Sequence, residues 1–323
     1  MRRLTHLEAI TEAMKEEMAR DESVFVIGED VHLFGGVWKA TRGLLEAFGS
    51  KRVRGTPISE SAFTGLAVGA AMTGLRPVVE FMYFDFVHVA MDQLANQMAK
   101  VFLMSGGAVT VPITIRAQAG AGTREAAQHS ETLEAWFVHT PGIKVVMPAT
   151  AYDAKGLLKS AIRDDQPVVF VENRMLYYRK EEVPEGEWLV PLGKARVVRE
   201  GRDLTVVTVG YALTKVLGAV TSLDGAVDVE IVDARTIQPL DLETLLASLR
   251  KTGRLLVVHE APVRAGVGAE IVRRLTEEGF DHLKKAPRVL GAANVPMPFS
   301  PGLEDRCLPQ EKTIAEAIRK MMA

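Results

Sequence analysis

Apolar positions Leu7, Ile10, Met14 and Met18 recur at helical spacing behind the capping box Thr5-His6-Leu7-Glu8, so the chain is predicted to open with an amphipathic helix. Beyond Asp21 the period changes. Short apolar runs occur at residues 24–27, 77–81, 111–115, 144–147 and 167–171, spaced by longer helical stretches such as 92–104 and 151–162. Runs with no polar face, alternating with helices, indicate a buried parallel sheet covered by helices. From Arg179 to Gly193 the chain turns polar and is broken by Pro184 and Gly186, the composition expected of a linker. A second α/β pattern lies beyond it, with strands expected at 204–209, 227–232, 254–258 and 288–290. Its helices are expected near 242–249, 268–278 and 312–322. The expected architecture is therefore α/β in two domains, residues 1–186 and 187–323.

A length of 323 residues is ample for two cores, and 47% hydrophobic with 25% charged residues excludes disorder or a collagen-like repeat. Thirty-nine basic against 41 acidic residues, with no basic run, give no electrostatic footprint for nucleic acid or an anionic membrane. Cys307 stands alone, so neither an intrachain disulfide nor a cysteine metal site is expected, and the compartment is expected to be reducing. Arg2-Arg3 leads into an acidic amphipathic segment rather than an apolar one, and the weakly polar run 63–75 is too short for a bilayer. A cytoplasmic chain is expected. Phosphate-loop, HExxH, GxSxG and EF-hand patterns are missing, and Gly120-Ala121-Gly122 and Gly266-Val267-Gly268 both lack the third glycine of a dinucleotide fingerprint.

The segment from Pro57 to Ala71 carries the most chemistry. Pro57 and Ser59 mark the entry to a helix whose first turn holds Glu60. The helix dipole favours the ionised carboxylate, whereas burial would push its pKa upward and let it donate a hydrogen bond. Gly65, Gly69 and Gly74, with Ala67 and Ala71, line the rest of this helix, and each glycine costs about 1 kcal/mol of helix propensity. Close approach by another backbone or a bound ring would offset that cost. A plain helix-start charge with glycines packed internally is the competing reading.

Glu60, Gly65, Leu66 and Gly69 match the E-x4-G-Φ-x-x-G pattern of thiamine-diphosphate enzymes. Together with Ile27-Gly28-Glu29-Asp30, Gly35-Gly36-Val37, Gly74-Leu75-Arg76-Pro77, Met104-Ser105-Gly106-Gly107, Gln128-His129-Ser130, Asp153-Ala154-Lys155-Gly156-Leu157 and Leu303-Glu304-Asp305, they give a resemblance over nearly the whole chain. The sequence resembles β subunits of the decarboxylating component of 2-oxoacid dehydrogenase complexes, pyruvate type. That resemblance implies a pyrimidine-binding domain followed by a transketolase-C-terminal-like domain used for assembly. It implies that Glu60 hydrogen-bonds the aminopyrimidine of thiamine diphosphate, favouring the imino tautomer that deprotonates the thiazolium carbon. Glu29, Ile58 and Phe86 match further pocket positions. For Glu29 a solvated loop acid, and for Phe86 a core aromatic, are the plainer readings.

His129 comes after the Gly- and Ala-rich run 119–128, and a mobile loop presenting one imidazole suits proton transfer near neutral pH. The resemblance implies that it assists acyl transfer to a lipoyl group; His139 is the competing histidine, read as a helix-end residue. The resemblance also implies a potassium ion on main-chain carbonyls near Ile113, Ala161, Asp164 and Gln166, against a plain capped helix end. Magnesium and the diphosphate would be held by an α subunit carrying a GDG-type motif, in an α2β2 heterotetramer that docks a dihydrolipoyl acyltransferase core. Acetoin dehydrogenase and branched-chain 2-oxoacid dehydrogenase β subunits are the near alternatives. A non-catalytic assembly subunit and a nucleotide-dependent oxidoreductase are the distant ones.

Overall fold

The computed structural model covers residues 1–323. The chain starts with a short strand, β1 (Arg2–Thr5), and then α1 (His6–Arg20). The helix begins where the capping box requires: Glu8 N–H donates to Thr5 Oγ1 at 3.1 Å and Thr5 N–H to Glu8 Oε2 at 2.7 Å. Next are β2 (Val24–Glu29), α2 (Leu44–Phe48), β3 (Val53–Thr56), α3 (Glu60–Met72), β4 (Arg76–Phe81), α4 (Ala99–Met104) and β5 (Thr114–Ala119). After these come α5 (Glu134–Val138), β6 (Lys144–Val146), α6 (Ala151–Arg163), β7 (Val168–Asn173) and β8 (Lys180–Val183). Residues 1–119 and 136–192 form one compact unit; residues 120–135 and 193–323 form the other.

In the first unit the parallel strands run in the order β6-β7-β5-β4-β2-β3. Alternation along each strand sorts the core. Val24, Val26, Val78, Val168 and Phe170 face α1 and α6 in a cluster with Ile10, Met14, Leu157 and Leu158. Phe81, one strand position out of phase with Val78 and Glu80, meets Phe63 of α3 at 5.4 Å between ring centroids, so α3 covers the other face.

Several local expectations change. The polar stretch expected as a linker is built onto the first unit: β8 pairs antiparallel with β1, Val190 N–H donates to Gly156 O at 3.1 Å, and Trp188 Nε1 donates to Tyr152 O at 3.1 Å. A Cβ on Gly156 would come within 2.5 Å of Val190, so the missing side chain is what admits this strap. Polarity misled because a two-stranded edge ribbon needs no apolar face. Gly74 lies beyond α3 rather than inside it, at φ 97°, where Leu75 N–H reaches back to Ala70 O and ends the helix. The stretch 92–104 is π-helical over Asp92–Met98 before α4, and the strand expected at 111–115 begins only at Thr114.

The second unit contains β9 (Arg196–Arg199), β10 (Leu204–Thr208), α7 (Ala212–Thr221), β11 (Val229–Asp233), β12 (Thr236–Gln238), α8 (Leu242–Thr252), β13 (Leu255–Pro262), α9 (Val267–Gly279), β14 (Arg288–Ala292), α10 (Pro301–Cys307) and α11 (Glu311–Met322). Its five-stranded sheet has the order β14-β13-β10-β11-β9, parallel except for β9 at the edge. Val207, Val232, Leu245, Leu249, Leu255, Ile271 and Leu275 form its core. No helix is long and apolar enough to cross a membrane.

Candidate active site

The parallel register sets Glu29, the last residue of β2, beside Thr56, the last residue of β3. Both lie at the carboxyl edge of the sheet, where open parallel sheets bind ligands. From Thr56 the chain turns through Pro57-Ile58-Ser59 and enters α3 at Glu60. This strand-turn-helix unit brings two carboxyl groups together. Glu29 is 4% and Glu60 7% exposed, and Glu60 lies close enough to act on the Glu29 carboxyl.

Burial first, then the charge and closeness of Glu60 and the charge of Asp30 push the Glu29 carboxyl up to about 7. A buried carboxyl beside a second acid is discouraged from ionising. Glu29 Oε1, Thr56 Oγ1 and Thr64 Oγ1 are buried without a hydrogen-bond partner. Orphaned buried oxygens are rare in folded proteins and mark a site that something else completes.

Ile58, on the turn, is 81% exposed, an apolar side chain standing open beside a buried acid pair. Phe86 lies on the 3-10 segment Phe84–Ala90 after β4, half-buried and edge-on to Tyr83 at 5.5 Å, which in turn meets Trp38 at 5.7 Å. Along α3 the glycines are open rather than packed internally. A Cβ on Gly69 would meet nothing within 4 Å, and one on Gly65 only Gln93 at 3.6 Å. A buried acid pair, unsatisfied hydroxyls and an exposed apolar residue fit one side of a planar, nitrogen-bearing aromatic ring.

His129 is placed elsewhere in the chain's organisation, on a loop belonging to the second unit. His139 is exposed just after α5. The turn after α6 gathers Ala161, Asp164 and Gln166: Asp164 N–H donates to Ala161 O at 3.2 Å and Gln166 N–H to Asp164 Oδ1 at 2.8 Å. Ile113 O accepts from Val168 N–H at 3.0 Å, Arg76 donates to Asp164 O at 3.1 Å, and Lys144 pairs with Asp164 Oδ2 at 2.6 Å. The carbonyls of Ile113, Ala161 and Asp164 each keep a second lone pair, which a cation held by main-chain oxygens would need.

A buried charge cluster escaped the sequence pattern. Arg116 on β5 donates to Glu80 Oε2 at 2.6 Å and, in a fork, to Glu172 at 2.7 and 3.0 Å; Tyr177 adds a hydroxyl to Glu172 at 2.6 Å. Burial works against the Arg116 charge, and the two carboxylates more than offset it. Burial holds Glu80 above the ordinary carboxylate range despite Arg116. A signal was available: Glu80 lies inside the apolar run 77–81, Arg116 and Glu172 directly follow the runs 111–115 and 167–171, and the parallel register sets Arg116 opposite Glu80.

Residues 3–180 match the family model for the transketolase pyrimidine binding domain and residues 193–314 the model for the transketolase C-terminal domain. A pyruvate dehydrogenase E1 component subunit beta of Rhizobium meliloti is 48% identical over 321 residues, covering 99% of this chain and 70% of that protein. An acetoin:2,6-dichlorophenolindophenol oxidoreductase subunit beta of Cupriavidus necator is 45% identical over 332 residues, covering 99% and 98%. A solved split-gene transketolase, described as an inactive beta4 tetramer, superposes with a TM-score of 0.81 at 22% identity over 99% of this chain and 98% of that one. At that identity it speaks to the fold alone.

Proposed function

Because the chain belongs to the transketolase-like family as a β subunit of the pyruvate dehydrogenase E1 type, we propose that it supplies the pyrimidine side of an active site for oxidative decarboxylation of a 2-oxo acid, pyruvate first, with reductive acylation of lipoyl-lysine. The observation that carries this reading is the pair of buried carboxyls, Glu29 and Glu60, with an orphaned Glu29 oxygen at the sheet's carboxyl edge. Thiamine diphosphate, when bound, supplies an electron sink for the bond that breaks on loss of carbon dioxide.

The chain's own residues do the positioning and the proton work. Glu60 hydrogen-bonds a ring nitrogen of the aminopyrimidine and sets its tautomer. Glu29, whose proton is held to about pH 7, keeps a proton within reach of Glu60 near neutrality. Ile58 and Phe86 face the ring and keep water from it. His129 gives a proton to the acyl acceptor, in a site whose pyrimidine residues come from another copy of this chain. A partner α subunit holds magnesium and the diphosphate in an α2β2 heterotetramer, and the region 187–323 serves assembly and docking to a dihydrolipoyl acyltransferase core. Potassium sits on the carbonyls of Ile113, Ala161, Asp164 and Gln166. A single cysteine suits a reducing cytoplasmic setting.

Acetoin cleavage is the second reading, favoured by the 45% identity to the Cupriavidus necator subunit. Co-expression with the α-type chain, followed by kcat/KM for pyruvate, branched-chain oxo acids and acetoin, separates the two. Pyruvate is expected to lead. An acetoin preference would exchange the readings, and equal turnover by this chain alone would remove the shared site.

A further inference from the structure

The loop that presents His129 is a compact surface loop whose ends meet, closed at its base by Gly120 N–H donating to Glu131 O at 3.2 Å. Gly120, Gly122, Arg124 and Ala126 hold positive φ, at 92°, 108°, 64° and 65°. Arg124 and Ala126 are L residues in a region they rarely adopt, and such residues stay there only where neighbours enforce it. Under the loop is a cavity of about 320 Å3, with Ala121, Ala127 and Ser130 on the loop side and Glu260, Val295 and Met297 opposite.

Glu304 on α10 is one such neighbour. This carboxylate is 0% exposed, accepts Gly122 N–H at 2.7 Å on Oε1, and takes Arg124 Nη1 on Oε2. The same Arg124 nitrogen donates to Pro301 O at 3.0 Å and pairs with Asp305 Oδ1 at 2.8 Å. A buried carboxylate that binds a backbone N–H and a guanidinium at once fixes both direction and distance, since charge-assisted bonds are the strong, geometrically demanding ones.

We propose that Glu304 and Arg124 are positioning residues for acyl transfer, clamping the loop so that His129 is presented in one arrangement. The second unit then takes part in the reaction as well as in assembly. The inference rests on the reading of His129 as the acyl-transfer residue. Decarboxylation, which runs on the Glu29–Glu60 half, does not need the clamp.

The test uses the holoenzyme formed with its α-type partner and reads two activities: 2-oxo acid oxidation by an artificial electron acceptor, and reductive acylation of a lipoyl domain. Arg124→Ala and Glu304→Gln are expected to lower reductive acylation about tenfold while oxidation stays within about twofold, and Arg124→Lys to recover most of the loss. Amide exchange across residues 121–131 is expected to accelerate about tenfold in Arg124→Ala, a readout independent of turnover. His129→Gln is the benchmark. If it abolishes acylation while Arg124→Ala changes neither acylation nor loop exchange, the clamp is overturned. If His129→Gln leaves acylation intact, the reading beneath it falls, and the clamp's catalytic role with it.

Discussion

The two faces of the first unit's sheet are finished to different degrees. On the α1–α6 face every buried charge has a partner: Lys155 meets Glu16 at 2.5 Å and Glu12 at 3.2 Å, Lys159 meets Glu16 at 2.5 Å, and Arg163 grips Glu17 at 2.8 and 2.9 Å. Under them, Arg116 is held between Glu80 and Glu172. On the α3 face, Glu29, Thr56 and Thr64 keep buried oxygens without partners. Around α3 and α4, Ile58, Leu66, Leu103 and Met104 are 81%, 51%, 82% and 79% exposed. Buried His6 on α1 also keeps both ring nitrogens without a partner. Unsatisfied polar groups and open apolar surface are both costly, and where they occur together, as around α3, they mark a surface shaped for something that arrives later. One face stabilises the fold. The other carries the candidate site.

Glu60→Gln should break that contrast most visibly. In the assembled enzyme turnover should fall about 100- to 10,000-fold, because a neutral amide cannot manage the proton as a carboxyl does. The thermal midpoint of the isolated chain should move by no more than about 2 °C, because the amide keeps the size of the carboxyl it replaces. A large loss of midpoint in step with activity would make Glu60 a structural residue and the contrast false.

Arg116→Ala is the mirror experiment. It strands two buried carboxylates, and urea unfolding should register a loss of about 3–5 kcal/mol, while activity per folded molecule is retained. A cost under about 1 kcal/mol would mean that the charged face is not held by these pairs.

Glu29→Gln sharpens the comparison through pH. A folded-state value of about 7 against an ordinary 4.5 means that the native chain binds this proton more tightly than the unfolded one. The stabilising contribution is therefore complete below about pH 4.5 and is lost as pH rises through 7. Wild type and Glu29→Gln should match at pH 4.5, with the variant more stable at pH 8 by on the order of 1–2 kcal/mol. Parallel stability curves would show that Glu29 ionises like a surface acid.

The smallest expected effect is at Gly69. A Cβ there meets nothing within 4 Å, so Gly69→Ala should stabilise the isolated chain by about 0.5–1 kcal/mol. In the assembled enzyme the same methyl should weaken subunit association and lower turnover. Unchanged association would mean that no other backbone approaches this helix.

Much of this was legible in the residues. The capping box fixed the start of α1, the apolar runs located the sheet strands to within a few positions, and Glu60 with its glycines pointed to a helix built to be approached closely. Gly74 was misassigned because helix propensity does not separate a glycine inside a helix from one that ends it by adopting positive φ. The stretch from Arg179 to Gly193 has the composition of a linker because the contacts that hold it, such as Trp188 with Tyr152, are set by a neighbour in space and leave no periodic trace.

The sequence by itself determined the fold class, the acid at the start of the glycine helix and the histidine on its loop, because periodicity, capping and motif spacing act along the chain. Only the tertiary structure decided that Glu29 is buried beside Glu60 with its carboxyl pushed upward, that Arg116 bridges Glu80 and Glu172, and that Glu304 reaches back to clamp Gly122 and Arg124. Each of those facts joins residues far apart in sequence, and its energy comes from burial and strand register, which exist only once the chain has folded.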